Sequence, residues 1–195
     1  MASPTIVDLF AGCGGLSLGA HRAGFVTGLA IDADQQLTHS FGTNFPDTQL
    51  LQQDVRKVSS EVVRQLNLGA IDGVVGGPPC QAFSEMGRRL IDDPRRSLVG
   101  EFFRLVNLFE PKFFLFENVR GLGFEDNIEL LHAGLDLLPQ RWKTFGPTLL
   151  NAAECGAPTK RVRLFVIGFD SERVDVPDEA SLTNAPKILV SVGDA

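Results

Sequence analysis

The stretch TIVDLFAGCGGLSLG, residues 5–19, decides the fold of this chain. It begins with an apolar segment at 5–10 that predicts a buried strand, passes through a glycine-rich turn, and leads into a helix-length segment at 16–24. Glycines in such a turn let a ligand approach the backbone, and the free amides at the start of the helix face that ligand. A strand, a glycine-rich turn and a helix in this order indicate an α/β fold with a ligand site at the end of the first strand.

The same alternation of strands and helices continues along the chain. Further strands are expected at 26–31, near 50, and at 71–75, 112–116, 143–150 and 163–168. Further helices are expected at 35–44, 61–66, 98–109 and 127–138. Repeated units of this kind favour a doubly wound, mostly parallel sheet with helices on both faces, and the unbroken apolar run at 113–116 fits a strand that is buried on both sides.

Length and composition favour one domain. A chain of 195 residues can bury a real core but is short for two domains. No apolar run approaches the roughly 20 residues that cross a membrane, and no secretory signal is visible, so we expect a soluble protein. The cysteines at 13, 80 and 155 have no paired spacing, which favours a reducing cytoplasm and predicts neither a disulfide framework nor a metal site.

The charge is distributed unevenly. The net charge of −6 does not by itself suggest a nucleic-acid partner, but residues 169–195 hold six acidic side chains against two basic ones. Basic side chains cluster at 88–96 and at 160–163. Because the alternating pattern also ends near residue 168, we expect a main domain at 1–168 and an acidic tail, or a truncated connection, at 169–195.

A cysteine follows one of the predicted strands directly. The run GGPPCQ, residues 76–81, comes after the apolar segment at 71–75. Pro78 and Pro79 fix φ near about −65° and stiffen the approach to Cys80. Because open α/β sheets carry out their chemistry at the carboxyl ends of strands, we expect Cys80 to be a positioned nucleophile. A small buried cysteine is the alternative.

Three acidic side chains stand at the ends of predicted strands. Asp8 disfavours a pyrophosphate and suits a ligand with an ammonium or sulfonium charge. Asp32 suits ribose hydroxyls, although it could equally cap the next helix, and Asp54 could accept from an exocyclic amine. The turn at 8–15 lacks both the spacing of the dinucleotide fingerprint and the Lys-Ser/Thr pair of a P-loop.

Glu117 and two arginines supply further candidates. Glu117 ends the apolar strand and should emerge at the same edge of the sheet as Cys80. A carboxyl among apolar neighbours has a raised pKa and could carry the proton of a general acid. Arg161 and Arg163 fall on one face of a strand and could fork onto a phosphate or a base carbonyl, the alternative being an exposed ion pair.

Four segments together resemble the DNA (cytosine-5) methyltransferase family: DLFAGCGGLSLG at 8–19, GGPPCQAFS at 76–84, ENVRG at 117–121 and NAAECGAPTKRVRLFVIG at 151–168. The resemblance covers residues 5–168 and implies a Rossmann-like class I methyltransferase fold. It implies that S-adenosyl-L-methionine (AdoMet) is the cofactor and that the substrate is a cytosine flipped out of DNA. It also implies that residues 1–168 are the AdoMet-binding catalytic domain.

The resemblance implies a role for each motif position. Cys80 would form a covalent bond to C6 of cytosine while Glu117 acts at N3. Arg163 would touch the flipped cytosine or its phosphate, and Arg161 would hold the loop that carries Cys80. Asp32 would bind the ribose of AdoMet and Asp54 its adenine amine. The remaining positions along AdoMet would be Phe10, Ala11, Gly12, Gly14, Pro79 and Leu98.

The chain departs from the family pattern in three places. Thr159 stands where the family usually has Gln, and Ala33 where it often has a larger apolar residue. Nothing after Gly168 resembles the target-recognition region or the final motif of the family. The chain is therefore expected to be the catalytic half of a split enzyme with a second polypeptide, a truncated AdoMet-binding remnant without catalysis, or a tRNA cytosine-5 methyltransferase.

A rival from another class is a thiol hydrolase or a nucleotide-dependent oxidoreductase. A hydrolase needs a histidine beside its cysteine. His21, His39 and His132 are the only histidines, and all three fall on predicted helices rather than at strand ends. This pattern disfavours the rival class.

Overall fold

The computed structural model of the protein describes residues 3–79, 98–183, 188 and 190. Its strands are β1 (Thr5–Leu9), β2 (Val26–Asp32), β3 (Gln49–Gln52), β4 (Gly73–Gly76), β5 (Phe113–Val119), β6 (Trp142–Asn151) and β7 (Val162–Asp170). They form one sheet in the order β3-β2-β1-β4-β5-β7-β6. Neighbouring strands from β3 to β5 pair in parallel, and β7 runs antiparallel to both β5 and β6. The expected mostly parallel sheet is confirmed.

The strand order creates a crevice in the middle of the sheet. From β1 the chain builds outward to β2 and β3, and it then returns to lay β4 on the other side of β1. The connections that leave β1 and β4 therefore diverge to opposite faces. Open α/β sheets bind their ligands at such a switch point, beyond the carboxyl ends of the strands.

Helices cover both faces of the sheet. They are α1 (Gly15–Arg22), α2 (Gln35–Asn44), α3 (Ser60–Gln65), α4 (Leu98–Phe109), α5 (Glu125–Leu135) and α6 (Glu179–Thr183). Right-handed crossovers put α1 and α2 on one face and α4 and α5 on the other. Side chains alternate accordingly along β5, where Phe114 contacts Phe103 of α4 and Phe113 contacts Phe25 at the end of the α1 connection.

The core between the sheet and α4 is aromatic. Phe102 and Phe103 of α4 lie against Phe114 and Phe116 of β5, all four fully buried, with ring centroids 5.2–6.0 Å apart. Burying one such ring contributes roughly 1.5–3 kcal/mol. Gly134 of α5 lets that helix approach, because a Cβ there would lie 2.4 Å from the ring of Phe103. This packing fixes the position of β5 and of the polar side chains near its end.

The strands β5 and β7 continue beyond the ends expected from the sequence, at residues 116 and 168. β5 continues through Val119, so Glu117 lies inside the strand rather than after it, and β7 continues through Asp170. Antiparallel pairing extends both strands: Val119 pairs with Arg163, and Phe113 pairs with Phe169. Asp170 is fully buried, and its carboxylate accepts a hydrogen bond from Arg141 over 2.8 Å that compensates its charge. The division of the chain at residue 168 stays a prediction.

Within the described residues, none of the helices combines the length and the apolar character needed to cross a membrane.

Candidate active site

A cavity of about 520 Å³ opens at the carboxyl ends of the central strands. Its walls are the loop after β1, the end of β5, the start of β7 and the turn after β6. The volume lies within the roughly 300–1,000 Å³ that small-molecule sites occupy. Seven of the sequence-predicted site residues line it: Asp8, Phe10, Ala11, Gly12, Glu117, Arg161 and Arg163.

The glycine-rich loop after β1 is pinned to the end of β2. The Oδ2 atom of Asp32 accepts a hydrogen bond from the amide of Gly12 over 2.9 Å. Gly12 has a φ of +56° and Gly14 a φ of +98°, a left-handed backbone that favours glycine. Asp32 does not cap α2, because Asp34 does so by accepting from the amides of Gln36 and Leu37. The helix-cap alternative for Asp32 is therefore wrong.

Asp8 lies fully buried in the wall of this cavity. Its Oδ2 atom accepts from the Ser17 hydroxyl over 2.6 Å and from the Ser17 amide over 3.1 Å, whereas its Oδ1 atom has no hydrogen-bond partner among the described residues. Burial raises the pKa of Asp8 from 3.8 to about 7, against the two Ser17 hydrogen bonds and with a further upward contribution from the charge of Asp32. The wall thus contains a carboxyl to which the described part of the chain supplies no counter-charge.

Ser17 is a residue that the sequence analysis missed. Its hydroxyl donates to Asp8 and accepts from the hydroxyl of Thr27 over 3.0 Å, and the Thr27 amide donates to Nε2 of His21. These hydrogen bonds connect α1 to the strands β1 and β2. The available signal was a serine among the apolar positions of a short helix, which in itself does not distinguish a buried hydrogen bond from an exposed hydroxyl.

Glu117 meets Arg163 across the paired strands β5 and β7. Their atoms Oε1 and Nε are 3.0 Å apart, and each side chain is about one fifth exposed, at 21% and 23%. Burial raises the pKa of Glu117, while the charges of Arg163 and Arg161 and the hydrogen bond from Arg163 oppose that rise. The sequence analysis expected this raised pKa, and the neighbouring arginines limit it.

The segment that leads to Cys80 is attached to the end of β5. A Cβ at Gly77 would lie 2.7 Å from Oε2 of Glu117, so only glycine fits beside this carboxyl without displacement. The Asn118 side chain donates to the carbonyl of Pro78 over 3.3 Å. Cys80 itself and the basic cluster at 88–96 lie outside the described residues.

Five predicted cofactor positions are not part of the cavity wall: Gly14, Asp32, Asp54, Pro79 and Leu98. Gly14 directly precedes α1 and lies so close to the ring of Phe45 that a Cβ would collide with it, and Leu98 is the first residue of α4. Asp54 binds Arg56 over 2.6 Å, and this hydrogen bond holds its pKa below the usual value. The cavity thus brings together only part of the predicted cofactor site.

The cavity wall also contains residues that were not predicted. They are Cys13, Gly15, Leu16, Gly77, Leu150, Ala152, Cys155 and Phe165. Most are apolar or small, and their sequence pattern does not differ from that of ordinary strand and turn residues. Within the described part of the chain, no group of three His, Cys, Asp or Glu side chains could hold a metal ion, and none of the three histidines lines the cavity.

Comparison with known proteins identifies a family for the whole described region. The model of the family described as C-5 cytosine-specific DNA methylase matches residues 4–194. The type II methyltransferase M1.HphI of Haemophilus parahaemolyticus is 41% identical over 174 residues, which are 85% of this chain and 46% of that protein. M.AquIA of a Picosynechococcus species is 37% identical over 175 residues, which are 84% of this chain and 71% of that protein.

Solved structures give the same result. A protein from Escherichia coli, described as a DNA modification methyltransferase encoded within a prophage, superimposes with a TM-score of 0.83 at 38% identity, over 97% of this chain and 53% of that one. A DNMT2 variant of Spodoptera frugiperda gives 0.67 at 26% identity, over 91% of this chain and 53% of that one. The chain thus spans about half the length of most relatives that it matches.

Proposed function

This chain belongs to the C-5 cytosine-specific DNA methylase family, and we propose that it transfers a methyl group from AdoMet to carbon 5 of a cytosine in DNA. One observation carries the proposal: a single cavity holds the glycine-rich loop with its buried Asp8 and also the Glu117–Arg163 pair. A carboxyl without a counter-charge suits a cationic cofactor, and a carboxyl beside an arginine suits a polar base.

The cavity fits AdoMet in size and in charge. Asp8 offers an unpaired carboxyl oxygen in a wall that is otherwise mostly apolar, which favours a ligand with a sulfonium or ammonium group. The backbone of Phe10, Ala11 and Gly12 would lie along the cofactor, with Asp32 on its ribose. AdoMet would supply an electrophilic methyl group. Asp54, Pro79, Leu98 and Gly14 keep their proposed roles at the margins of this site.

Glu117 is proposed to act on N3 of the cytosine. Burial raises its pKa, which favours a carboxyl that can carry or share a proton, and a hydrogen bond or proton at N3 would stabilise the negative charge that develops in the ring. Arg163 holds Oε1 of Glu117 and so fixes the orientation of the carboxyl toward the base. We assign Arg163 also to the flipped cytosine or its phosphate, and Arg161 to the loop that carries Cys80.

Cys80 is proposed as the nucleophile. Its thiolate would add to C6 of the cytosine and make C5 nucleophilic; once C5 is methylated, loss of the C5 proton and departure of the thiolate would restore the ring. The anchoring of Pro78 to Asn118 supports this role, because it holds the start of the loop next to Glu117. The reacting atoms are hidden in a stacked duplex, so the base must be rotated out at a cost of a few kcal/mol.

We propose further that a second polypeptide supplies target recognition. One sheet face supports this: the side chains of Leu115, Phe165 and Ile167 form, with Leu150 and α6, an apolar groove of about 210 Å³. The three strand residues are only half-buried, unlike their neighbours on the α4 face. An apolar segment of the second polypeptide would cover this face.

Transfer of labelled methyl groups tests the chemistry. The purified chain, alone and together with the proposed second polypeptide, is incubated with labelled AdoMet and either unmethylated DNA or bulk tRNA. With the wild-type chain we expect label in DNA and none in tRNA. With the Cys80→Ala variant we expect no label in either nucleic acid. DNA that contains 5-fluorocytosine should trap a covalent complex with the wild-type chain, because fluorine cannot leave as the proton does. Label in DNA with Cys80→Ala would refute the proposed nucleophile.

The groove is tested by a matched pair of variants. Leu150 and Leu149 are neighbours on β6 with side chains on opposite faces, and both are exposed, at 42% and 56%. We expect Leu150→Asp to abolish binding of the second polypeptide and Leu149→Asp to leave it intact, as measured by co-purification. Equal binding by both variants would contradict the proposed docking face.

A further inference from the structure

Asp8 is the buried titratable group whose surroundings are least complete. It is fully buried, both hydrogen bonds that it accepts go to Oδ2, and Oδ1 has none. Charged carboxylates are stable in a protein interior only when a cation or several donors compensate them. The two donors from Ser17 compensate one oxygen of the carboxylate and leave the other without a partner.

Among the residues that the structure describes, the charged groups around Asp8 do not supply the missing cation. From β2 the nearest charge is that of Asp32, which repels a second negative charge. On α1, Ser17 contacts Asp8 directly, and His21 is connected through Thr27. The facing residues of β4, Gly73–Gly76, carry no charge. Across the cavity, Arg163 is bound to Glu117, and Arg161 contributes its charge to that same carboxyl.

We propose that the Asp8 carboxyl holds a proton when the cavity contains no cofactor and releases it when the cationic cofactor binds, so that binding of AdoMet is coupled to release of a proton. This inference rests on the proposed function, because the cation is that of AdoMet. The balance is simple: the neutral carboxylic acid and the cation give a carboxylate–cation pair, and the proton passes to the solvent.

Physical chemistry gives the expected size of the coupling. With the pKa of Asp8 at about 7 in the absence of ligand, only the ionised fraction of the protein is ready to bind. That fraction is about one tenth at pH 6 and about nine tenths at pH 8, so the dissociation constant of AdoMet falls about tenfold between these pH values. The number of protons released falls over the same interval from about 0.9 to about 0.1.

Isothermal titration calorimetry measures both quantities. AdoMet is titrated into the full chain at pH 6, 7 and 8, in buffers with different ionisation enthalpies, and the dependence of the heat on the buffer gives the number of protons released. Asp8→Asn imitates the protonated acid, so it should bind AdoMet more weakly than the wild-type chain does at pH 8, and without this proton release. Asp47→Asn, which removes an exposed carboxyl that does not line the cavity, is the matched control and should behave as the wild-type chain.

Further titrations separate the contributions of the amino group and the sulfonium group of AdoMet from that of Asp8. The amino group of AdoMet also titrates near pH 8, and its contribution is the pH dependence that remains in Asp8→Asn. S-adenosyl-L-homocysteine lacks the sulfonium charge, so it should release fewer protons than AdoMet if that charge lies near Asp8. Ser17→Ala removes a hydrogen bond that favours the ionised form, and should move the release to higher pH.

The possible outcomes are distinct. Binding with the expected proton release in the wild-type chain and in Asp47→Asn, but not in Asp8→Asn, supports the inference. Binding without proton release, or with equal release by wild-type and Asp8→Asn, overturns the inference and leaves the proposed function in place. Absence of binding at every pH overturns the assignment of a cofactor site to this chain, and the inference with it.

Discussion

Two carboxyl groups line the same cavity with opposite surroundings. Glu117 lies at the end of β5 beside Arg163, 3.0 Å away, whereas Asp8 at the end of β1 has only the hydrogen bonds of Ser17. Burial raises the pKa of both groups. For Glu117 the arginine charges oppose the rise, while for Asp8 the neighbouring charge of Asp32 increases it. Burial therefore determines the direction of each pKa shift, and the neighbouring charges determine whether the ionised carboxylate has a partner within the protein.

The difference separates two tasks within one cavity. Glu117 has its own cation, which balances the charge of the ionised carboxylate and fixes its position, while burial favours the protonated form that the proposed role at a substrate base requires. Asp8 has no cation beside it among the described residues, and in our proposal the charged ligand supplies one. The following changes are expected to break or sharpen this contrast.

Glu117→Gln should have the largest effect. We expect methyl transfer to fall roughly 10²–10⁴-fold, the usual contribution of a positioned acid, while AdoMet affinity changes by less than about twofold. Transfer is measured with labelled AdoMet, and affinity by calorimetry. A variant that transfers methyl groups at close to the wild-type rate would remove Glu117 from the chemistry.

Asp8→Asn should change how the stability of the free protein depends on pH. The folded chain keeps its Asp8 proton up to about pH 7, whereas the unfolded chain loses it near 3.8. Stability from this group is therefore fully present below about pH 3.8 and is lost as the pH rises to about 7. Between about pH 5.5 and 8, the free energy of unfolding of the wild-type chain should fall by about 2 kcal/mol more than that of Asp8→Asn.

Urea denaturation at several pH values checks this difference. Asp47→Asn is again the control, because its exposed carboxyl has little effect on the folded state. Parallel pH curves for wild-type and Asp8→Asn would mean that Asp8 is compensated by a group other than those described above.

Gly77→Ala should disturb Glu117 without removing it. The new Cβ would lie 2.7 Å from Oε2, so the carboxyl must shift away from its place beside Arg163. Because small misplacements of a reacting group reduce rates strongly, we expect methyl transfer to fall about tenfold. Gly69→Ala is the matched control, since its Cβ would meet no atom within 4 Å. Equal rates for the two variants would show that the position of Glu117 is not critical.

Asp54→Asn should have the smallest effect. Asp54 is bound to Arg56 at the surface, and such ion pairs contribute less than about 1 kcal/mol to stability. If Asp54 accepts from the adenine amine, the loss of one hydrogen bond should weaken AdoMet binding about fivefold. Calorimetry compares this variant with Asp47→Asn. Identical affinities would exclude Asp54 from the cofactor site.

Most of the fold could be predicted from the sequence. The apolar segments at 26–31 and 71–75 and the helix at 98–109 alternate so regularly that they predict a mostly parallel sheet. The continuation of β5 to Val119 could not be predicted, because the pairing with β7 that extends the strand joins residues about 44 positions apart in sequence. Local patterns do not report such pairing.

The site could be predicted only in part. Asp8 and Glu117 were identified from their positions at strand ends and Arg163 from its place on one face of a strand, and the structure brings all three to one cavity. The unpaired oxygen of Asp8 and the hydrogen bonds of Ser17 depend on how α1 packs on β1, which sequence spacing does not specify. The role of Cys80 as a nucleophile stays a prediction.

The sequence by itself determined the alternation of strands and helices, the glycine-rich turn and the identity of the chemical groups, because these depend on local conformation and on residue type. Only the tertiary structure decided which carboxyl received a cation. That outcome depends on strand order: β7 inserts between β5 and β6 and brings Arg163 to Glu117, while β1 is enclosed by β2 and β4, whose residues carry no basic side chain. Electrostatic environment is a property of the assembled sheet.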